Sequence, residues 1–415
     1  MSTSLVQFEA VYNILILVTI ITLITRRLRF PQTLALIIVG LYSTVFTRFT
    51  LPYLEADIFM SILLPPILFQ EALHLNIYDL IDDIDTILSY AVLGTITMVL
   101  SISVFSWFIL GFSVIEALLL GIIIAPTDPV AVISSFKSMG VNKRFQLLVA
   151  GESLFNDGVA VVIYSILISV AMQVNLTALD MAKVSVISVF GGLFLGVLSG
   201  YVAHLLFCWS DDKFAEVLIS FIVAFGVFRL AEELGASGVI STVVAGLIIN
   251  YRGKNFGGLG DQSIELLDAL WEFVAFMAQS IAFIFIGMNT DTSVLVTYIG
   301  PVFVIVVFTI LARYLMVLTV AEIVGRIRSK VIPNNWTLGM VWSGLRGGVS
   351  VVLALGAASI GLPHGEEMLA LTFGVVLISN VVQGITMSKV IGALNLSEIN
   401  EEIVTDRSPG SEDLM

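Results

Sequence analysis

Apolar runs, most of eighteen residues or more, follow one another from Phe8 to Leu394 with short polar breaks between them. A helix of that length, rising 1.5 Å per residue, crosses a hydrocarbon core of about 30 Å. The pattern predicts about thirteen spans, near 8–25, 31–49, 56–74, 87–110, 113–137, 145–173, 178–209, 214–231, 236–250, 262–289, 295–325, 336–361 and 366–394. The ninth is the shortest. The chain therefore reads as an all-α integral membrane unit over 1–394 and a short acidic tail over 395–415.

The loops carry a strong charge asymmetry. Connections after odd-numbered spans hold Arg26, Arg27, Arg29, Lys137, Lys143, Arg144, Lys213, Arg252, Lys254, Arg326, Arg328 and Lys330, with Lys389 and Arg407 after the last span. The other connections offer Arg48, Lys183 and, marginally, Arg229. Basic loops stay in the cytoplasm, which predicts a cytoplasmic C-terminus, an outside N-terminus and a place in the cell membrane. The first run has Arg26, Arg27 and Arg29 behind it and no basic residue before it, the reverse of a cleavable signal peptide.

Composition agrees with lipid as the solvent: 58% of residues are hydrophobic and 12% charged, against about a quarter charged in soluble domains. A single cysteine, Cys208, excludes an internal disulfide, and with three histidines it argues against a His/Cys metal site. No Walker loop or dinucleotide fingerprint occurs, so no cofactor is expected. The net charge of −13 argues against nucleic acid as a partner. Much of it falls in Asp79, Asp82, Asp83 and Asp85 and from Glu398 to Asp413, read as solvated faces.

Two spans are interrupted at mid-depth, the fifth by Ala125-Pro126-Thr127-Asp128-Pro129 and the twelfth by Gly344-Leu345-Arg346-Gly347-Gly348. Proline removes a backbone donor and glycine weakens a helix, so both places can unwind. Broken helices at matching positions of two halves point to a transporter site. Thirteen spans divide as six, a linker and six, which puts the breaks in register and makes the second six-helix repeat inverted.

Charges at membrane depth cost about 2.5–3.5 kcal/mol each on an insertion scale and need partners. Six stand out: Glu71, Asp128, Glu152, Asp157, Arg313 and Arg346. Pairing acids with bases leaves two carboxylates over, to be balanced by a cation or by protons. In the sixth span Ser153 and Asp157 lie one turn apart on one face, with Glu152 and Asn156 on the adjacent stripe. A hydroxyl and a carboxylate are oxygen ligands suited to a hard cation. The other reading of Asp157 is a helix cap or an arginine partner. Glu71 follows Pro65-Pro66 and reads either as lining a cavity or as lying at the membrane surface beside His74 and Asn76. Asp128 can neutralise a helix N-terminus at the crossing or bind an ion directly, and Thr127 offers its carbonyl or hydroxyl. Arg346 can neutralise helix C-termini or pair with Glu152. Arg313 reads as a structural pair.

Phe69-Gln70-Glu71-Ala72, Ala125 to Pro129, Gly151-Glu152-Ser153-Leu154-Phe155-Asn156-Asp157-Gly158 and Gly344 to Gly348, in this order, resemble the cation:proton antiporter-1 family. The resemblance is in particular to the prokaryotic NhaP-type sodium/proton antiporters and runs from about Val11 to Ile391. The resemblance implies an NhaA-like antiporter fold with broken helices crossing at mid-membrane. A dimerisation domain and a six-helix transport domain are interleaved in it, and members are homodimers serving pH homeostasis. By position, Asp157 binds ion and proton alternately. Glu71, Ser153 and the Thr127 backbone complete the shell around sodium (and lithium). Asn156 holds the unwound span through Thr127, and Glu152 pairs with Arg346. An Asn-Asp pair at 156–157 implies one proton per sodium. The chain ends shortly after its last span, which sets it apart from relatives with cytoplasmic regulatory domains.

Other readings are potassium/proton exchange, a cation channel and a membrane-bound enzyme. A channel needs a continuous pore, and no repeated filter-like loop is present. An enzyme needs a nucleophile with its base, and Ser153 has no histidine near it in sequence.

Overall fold

The computed structural model describes residues 3–28, 32–46, 56–172, 177–256, 258–328 and 332–397. Arg29, Arg48, Lys330, Arg407 and the acidic tail beyond Ser397 lie outside them. In chain order the helices are α1 (Thr3–Leu28), α2 (Gln32–Phe46), α3 (Ala56–His74), α4 (Ile77–Asp82) and α5 (Ile84–Phe105), the last prolonged by a π-helical turn, Ser106–Leu110. Then come α6 (Val114–Ile124), α7 (Val130–Ser138), α8 (Lys143–Ala171), α9 (Ala178–Trp209), α10 (Lys213–Glu233), α11 (Gly238–Asn255) and α12 (Asp261–Asn289). The rest are α13 (Thr292–Thr297), α14 (Ile299–Arg328), α15 (Asn334–Trp342), α16 (Gly348–Ser359) and α17 (Gly365–Ser379). A second π-helical turn, Asn380–Gly384, leads into α18 (Ile385–Ala393). Among the described residues the one strand-like pairing is an isolated bridge between Val141 and Ser397.

Among the described residues seven helical stretches can cross a membrane by length and composition, joined by shorter apolar helices such as Val114–Ile124 and Gly348–Ser359. Large side chains such as Phe190, Phe194 on α9 and Phe303, Leu315 on α14 stand exposed, as a lipid-facing surface requires.

The helices fall on the apolar runs, with local differences. The ninth run is a full helix, α11, capped by the Ser237 hydroxyl on the Ile240 N–H at 3.2 Å. The eleventh run splits into α13 and α14 at Tyr298. The acidic stretch after α3 is not a solvated loop throughout. Asn76 caps the short helix α4, and Asp83 behind it is buried against Arg144 at the start of α8. Arg144 Nε and Nη2 donate to Asp83 Oδ2 and Oδ1 at 2.7 and 2.9 Å. A bidentate fork of this kind pins the loop to α8.

Packing sorts the helices into two sets. α5 lies on α6, α8 and α14, α14 lies on α15 and α17, and α16 lies on α6 and α17. In the other set α12 lies on α2 and α3, and α11 on α3, α9 and α10. Small residues let α9 and α11 approach: a Cβ at Gly196 would come within 2.7 Å of the Ser241 carbonyl oxygen. The sets meet where α16 crosses α3 and α12, and where α8 meets α3, α9 and α11. Glu71, Asp128 and Asp157 come together at that seam.

Candidate functional site

The two helix breaks touch. α6 begins with a capping box, Ser113 with Glu116, and ends at Ile124, after which residues 125–129 are unwound. α15 ends at Trp342, and residues 344–347 are unwound before α16. The Asp128 N–H donates to the Leu345 carbonyl at 2.8 Å, one break to the other. A Cβ on Gly347 would sit 2.1 Å from the Asp128 Cβ, and one on Gly344 would sit 2.5 Å from Arg313 Nε. Both glycines are there because no side chain fits.

Unwinding exposes carbonyls that water cannot reach in a membrane, so side chains must satisfy them. Arg346 donates through Nη1 to the carbonyls of Ala125 and, at 3.2 Å, Pro126. A cation at the carbonyl end of α6 also opposes its helix dipole. The Ser153 hydroxyl donates to the Thr127 carbonyl, and the Thr127 hydroxyl reaches Ser153 Oγ at 3.3 Å. Asn156 Nδ2 donates to Thr127 Oγ1 at 2.8 Å. On the second break, Asn380 Nδ2 donates to the Arg346 carbonyl at 2.9 Å, from the π-helical turn that follows α17.

The expected pair of Glu152 and Arg346 does not form. Glu152 is held at both oxygens by Arg313, Nη1 to Oε1 and Nη2 to Oε2, each at 2.8 Å. The reason is angular. Glu152 precedes Ser153 by one residue, about 100° around the helix at 3.6 residues per turn, so it faces α14 while Ser153 faces the break. Arg346 is meanwhile occupied by the carbonyls of Ala125 and Pro126.

Asp157 is buried, and its Oδ1 is enclosed with no hydrogen-bond partner. Neither of the alternatives, a cap or an arginine pair, applies to that oxygen. Glu71, near the end of α3, is half-buried rather than at an open surface, and its Oε2 is likewise enclosed without a partner. Asn156 Oδ1 is a third such oxygen. Glu71, Thr127, Asp128 and Asp157 border one space of about 10 Å³ together with Gln279, Ser350 and the glycines of the second break. That is room for about one water-sized body.

A vestibule of about 480 Å³ shares Glu71 and Gln279 with this space and is bordered by Gln70, His74, Lys137, Gln146 and Glu272 among others. A second cavity, of about 440 Å³, lies between α3, α8 and α10 at Met60, Ser61, Tyr164 and Glu232, and shares no lining residue with the site.

The count of six charges omits three buried carboxylates, of which Asp83 is the partner of Arg144 described above. Glu116 meets His364 Nδ1 at 2.9 Å, and Glu216 is buried in the first turn of α10. Asn380 and Gln279, being uncharged, stand outside that count. Their only signal is a carboxamide inside an apolar run, Leu377-Ile378-Ser379-Asn380-Val381 and Phe276-Met277-Ala278-Gln279-Ser280.

A family model described as sodium/hydrogen exchanger, transmembrane, matches residues 14–391. The Na(+)/H(+) antiporter ApNhaP of Aphanothece halophytica is 32% identical over 395 residues, 95% of this chain and 75% of that protein. The Na(+)/H(+) antiporter NhaH of Halobacillus aidingensis is 32% identical over 400 residues, 92% of this chain and 96% of that protein. The solved structure of the sodium proton antiporter MjNhaP1 from Methanocaldococcus jannaschii at pH 8 has the same fold. It superposes with a TM-score of 0.76 at 21% identity, covering 95% of this chain and all of that one. The chain belongs to the sodium/hydrogen exchanger transmembrane family.

Proposed function

We propose that the chain exchanges sodium, or lithium in its place, for protons across the cell membrane by alternating access. The observation that carries this reading is the pair of enclosed, partnerless oxygens on Asp157 and Glu71 around a space for one small ion. A buried carboxylate must be neutralised, and a proton and a hard cation are the two agents that fit. Whichever occupies Asp157 excludes the other. Ser153 and the Thr127 backbone supply further oxygens, while Asn156, Asp128, Arg346 and the pair Glu152–Arg313 hold the breaks.

Transport then needs the set α5–α8 with α14–α18 to move against α1–α3 with α9–α12, transferring the site from the vestibule to the opposite cavity. The first set is the transport domain, and the second joins two copies as a homodimer. In this reading the C-terminus and the vestibule, which has Lys137 and Lys143 on its wall, face the cytoplasm, as the basic loops support. Relatives named as Na(+)/H(+) antiporters support the choice of substrate.

The test is purified protein in liposomes with a pH dye inside. An imposed sodium gradient should drive proton flux, and an equal potassium gradient should not. Equal flux with potassium would make the chain a potassium/proton exchanger, and sodium entry without proton movement would reject exchange altogether.

A further inference from the structure

Two residues border both the vestibule and the one-ion space at its end: Glu71 on α3 and Gln279 on α12. Glu272, Ala275, Phe276 and Gln279 are spaced i, i+3, i+4 and i+7, so one face of α12 lines the vestibule and Gln279 is its innermost position. Around Gln279 the helix is otherwise small or apolar, with Ala278, Ser280, Ala282 and Phe283 buried. A carboxamide in such a run is placed by function or by packing, and this one faces both cavities.

The chemistry of the passage gives it a task. An ion leaving the vestibule enters a space with room for about one water, so most of its hydration shell must stay behind. Protein oxygens have to replace those waters at the throat, and the throat has two side chains. Glu71 brings a carboxylate. Gln279 brings a neutral carbonyl oxygen with no titrating proton, so it can hold a cation without adding a proton to the cycle.

We infer that Gln279 is an ion-selecting residue, whose carboxamide oxygen takes the place of hydration water on the sodium ion as it passes Glu71 into the site. The inference rests on the antiport reading above. α12 packs against α2 and α3, which fixes the carboxamide relative to Glu71. Ions of different radius therefore profit unequally from it, and its removal changes discrimination as well as affinity.

The experiment measures half-saturation for sodium, lithium and potassium in proteoliposomes at one fixed pH. Gln279→Leu, of similar size but without the oxygen, should raise the sodium value about 5- to 10-fold, the loss expected of one polar contact. That rise should exceed any fall in maximal rate, and the sodium-to-lithium ratio should shift. Gln279→Asn should fall between Gln279→Leu and the native protein. Gln279→Glu keeps the oxygen but adds a titrating group, and should steepen the pH profile. Gln146→Leu removes an amide from the vestibule wall alone and should leave the ratio where it was. Unchanged half-saturation and an unchanged ratio in Gln279→Leu would overturn the inference. Should that variant fail to fold, the same result in Gln279→Asn and a native pH profile in Gln279→Glu would do so. Asp157→Asn, run alongside, separates the two levels: exchange surviving there sinks the site reading itself, whatever Gln279 does.

Discussion

Arg313 holds Glu152 by both carboxylate oxygens and donates its third guanidinium nitrogen, Nε, to the Met340 carbonyl at 2.9 Å. One side chain on α14 thereby joins α8 to the carbonyl end of α15, with both partners of the ion pair almost fully buried.

Removing either partner leaves a lone buried charge, at a cost of about 3–5 kcal/mol. Arg313→Met and Glu152→Gln should each lower the melting temperature in detergent. The double variant Arg313→Met with Glu152→Gln should recover part of the loss, because it leaves no charge behind. Strictly additive losses in the cycle would mean that the two do not act as a pair. A cycle between Glu152 and Arg346 should show much weaker coupling, since Arg346 bonds to the carbonyls of Ala125 and Pro126.

Asp157→Asn should abolish sodium-driven proton flux while the purified protein keeps its native melting profile. The asparagine is nearly isosteric, and Oδ1 of Asp157 has no partner for the change to disturb. Native flux from this variant would remove Asp157 from the cycle.

If proton and sodium compete for Asp157, acid should weaken sodium binding by mass action. In the range where the proton dominates, half-saturation should rise about tenfold for each unit of pH lowered, with little change in maximal rate at saturating sodium. A half-saturation independent of pH would show that the two ligands do not share a site.

Gly347→Ala should cost stability as well as exchange. Its Cβ would lie 2.1 Å from the Asp128 Cβ, so the breaks would have to part and strain the Asp128–Leu345 backbone bond. Overpacking of this kind typically costs about 1–3 kcal/mol. The neighbouring Gly348→Ala meets only Ile67 Cδ1 at 3.6 Å, an ordinary contact, and should melt close to the native protein. Equal melting temperatures for the two variants would contradict the crossing geometry.

Much of this was legible in the sequence because a membrane makes its rules strict. A run of apolar residues long enough to span must be helical, so helix positions followed from hydropathy. Pro126, Pro129, Gly344 and Gly347 marked the breaks, and helical spacing put Ser153 with Asp157. Pairing was harder to read. Glu152 has two arginines at membrane depth to choose from, Arg313 and Arg346, and the choice depends on helix rotation and on carbonyls that only unwinding exposes. Gln279 and Asn380 carry no charge, so a census of charges passes over them. Asp83 sits among Asp79, Asp82 and Asp85, and nothing in that acidic stretch says which one turns inward to Arg144.

Charge balance at the site bears finally on stoichiometry. A monovalent cation displaces protons from the carboxylates that hold it, and the residue beside Asp157 is Asn156, which has no proton to release. Its Nδ2 donates to Thr127 Oγ1 and holds the break. Asp128 and Glu71 are the other carboxylates at the space, and the enclosed, partnerless oxygen of Glu71 makes it the candidate for a second proton. We expect it to keep one protonation state through the cycle, with Asp157 alone switching. One proton then exchanges for one sodium ion, and no net charge crosses. Moving one elementary charge through 100 mV is worth about 2.3 kcal/mol, so an electrogenic cycle would respond strongly to voltage. Proteoliposomes clamped with potassium and valinomycin at several potentials, under fixed sodium and pH gradients, should show a reversal point that stays put. A reversal point that moves with voltage would overturn one-for-one exchange. Should Glu71→Gln then restore voltage independence, Glu71 would be the second proton carrier.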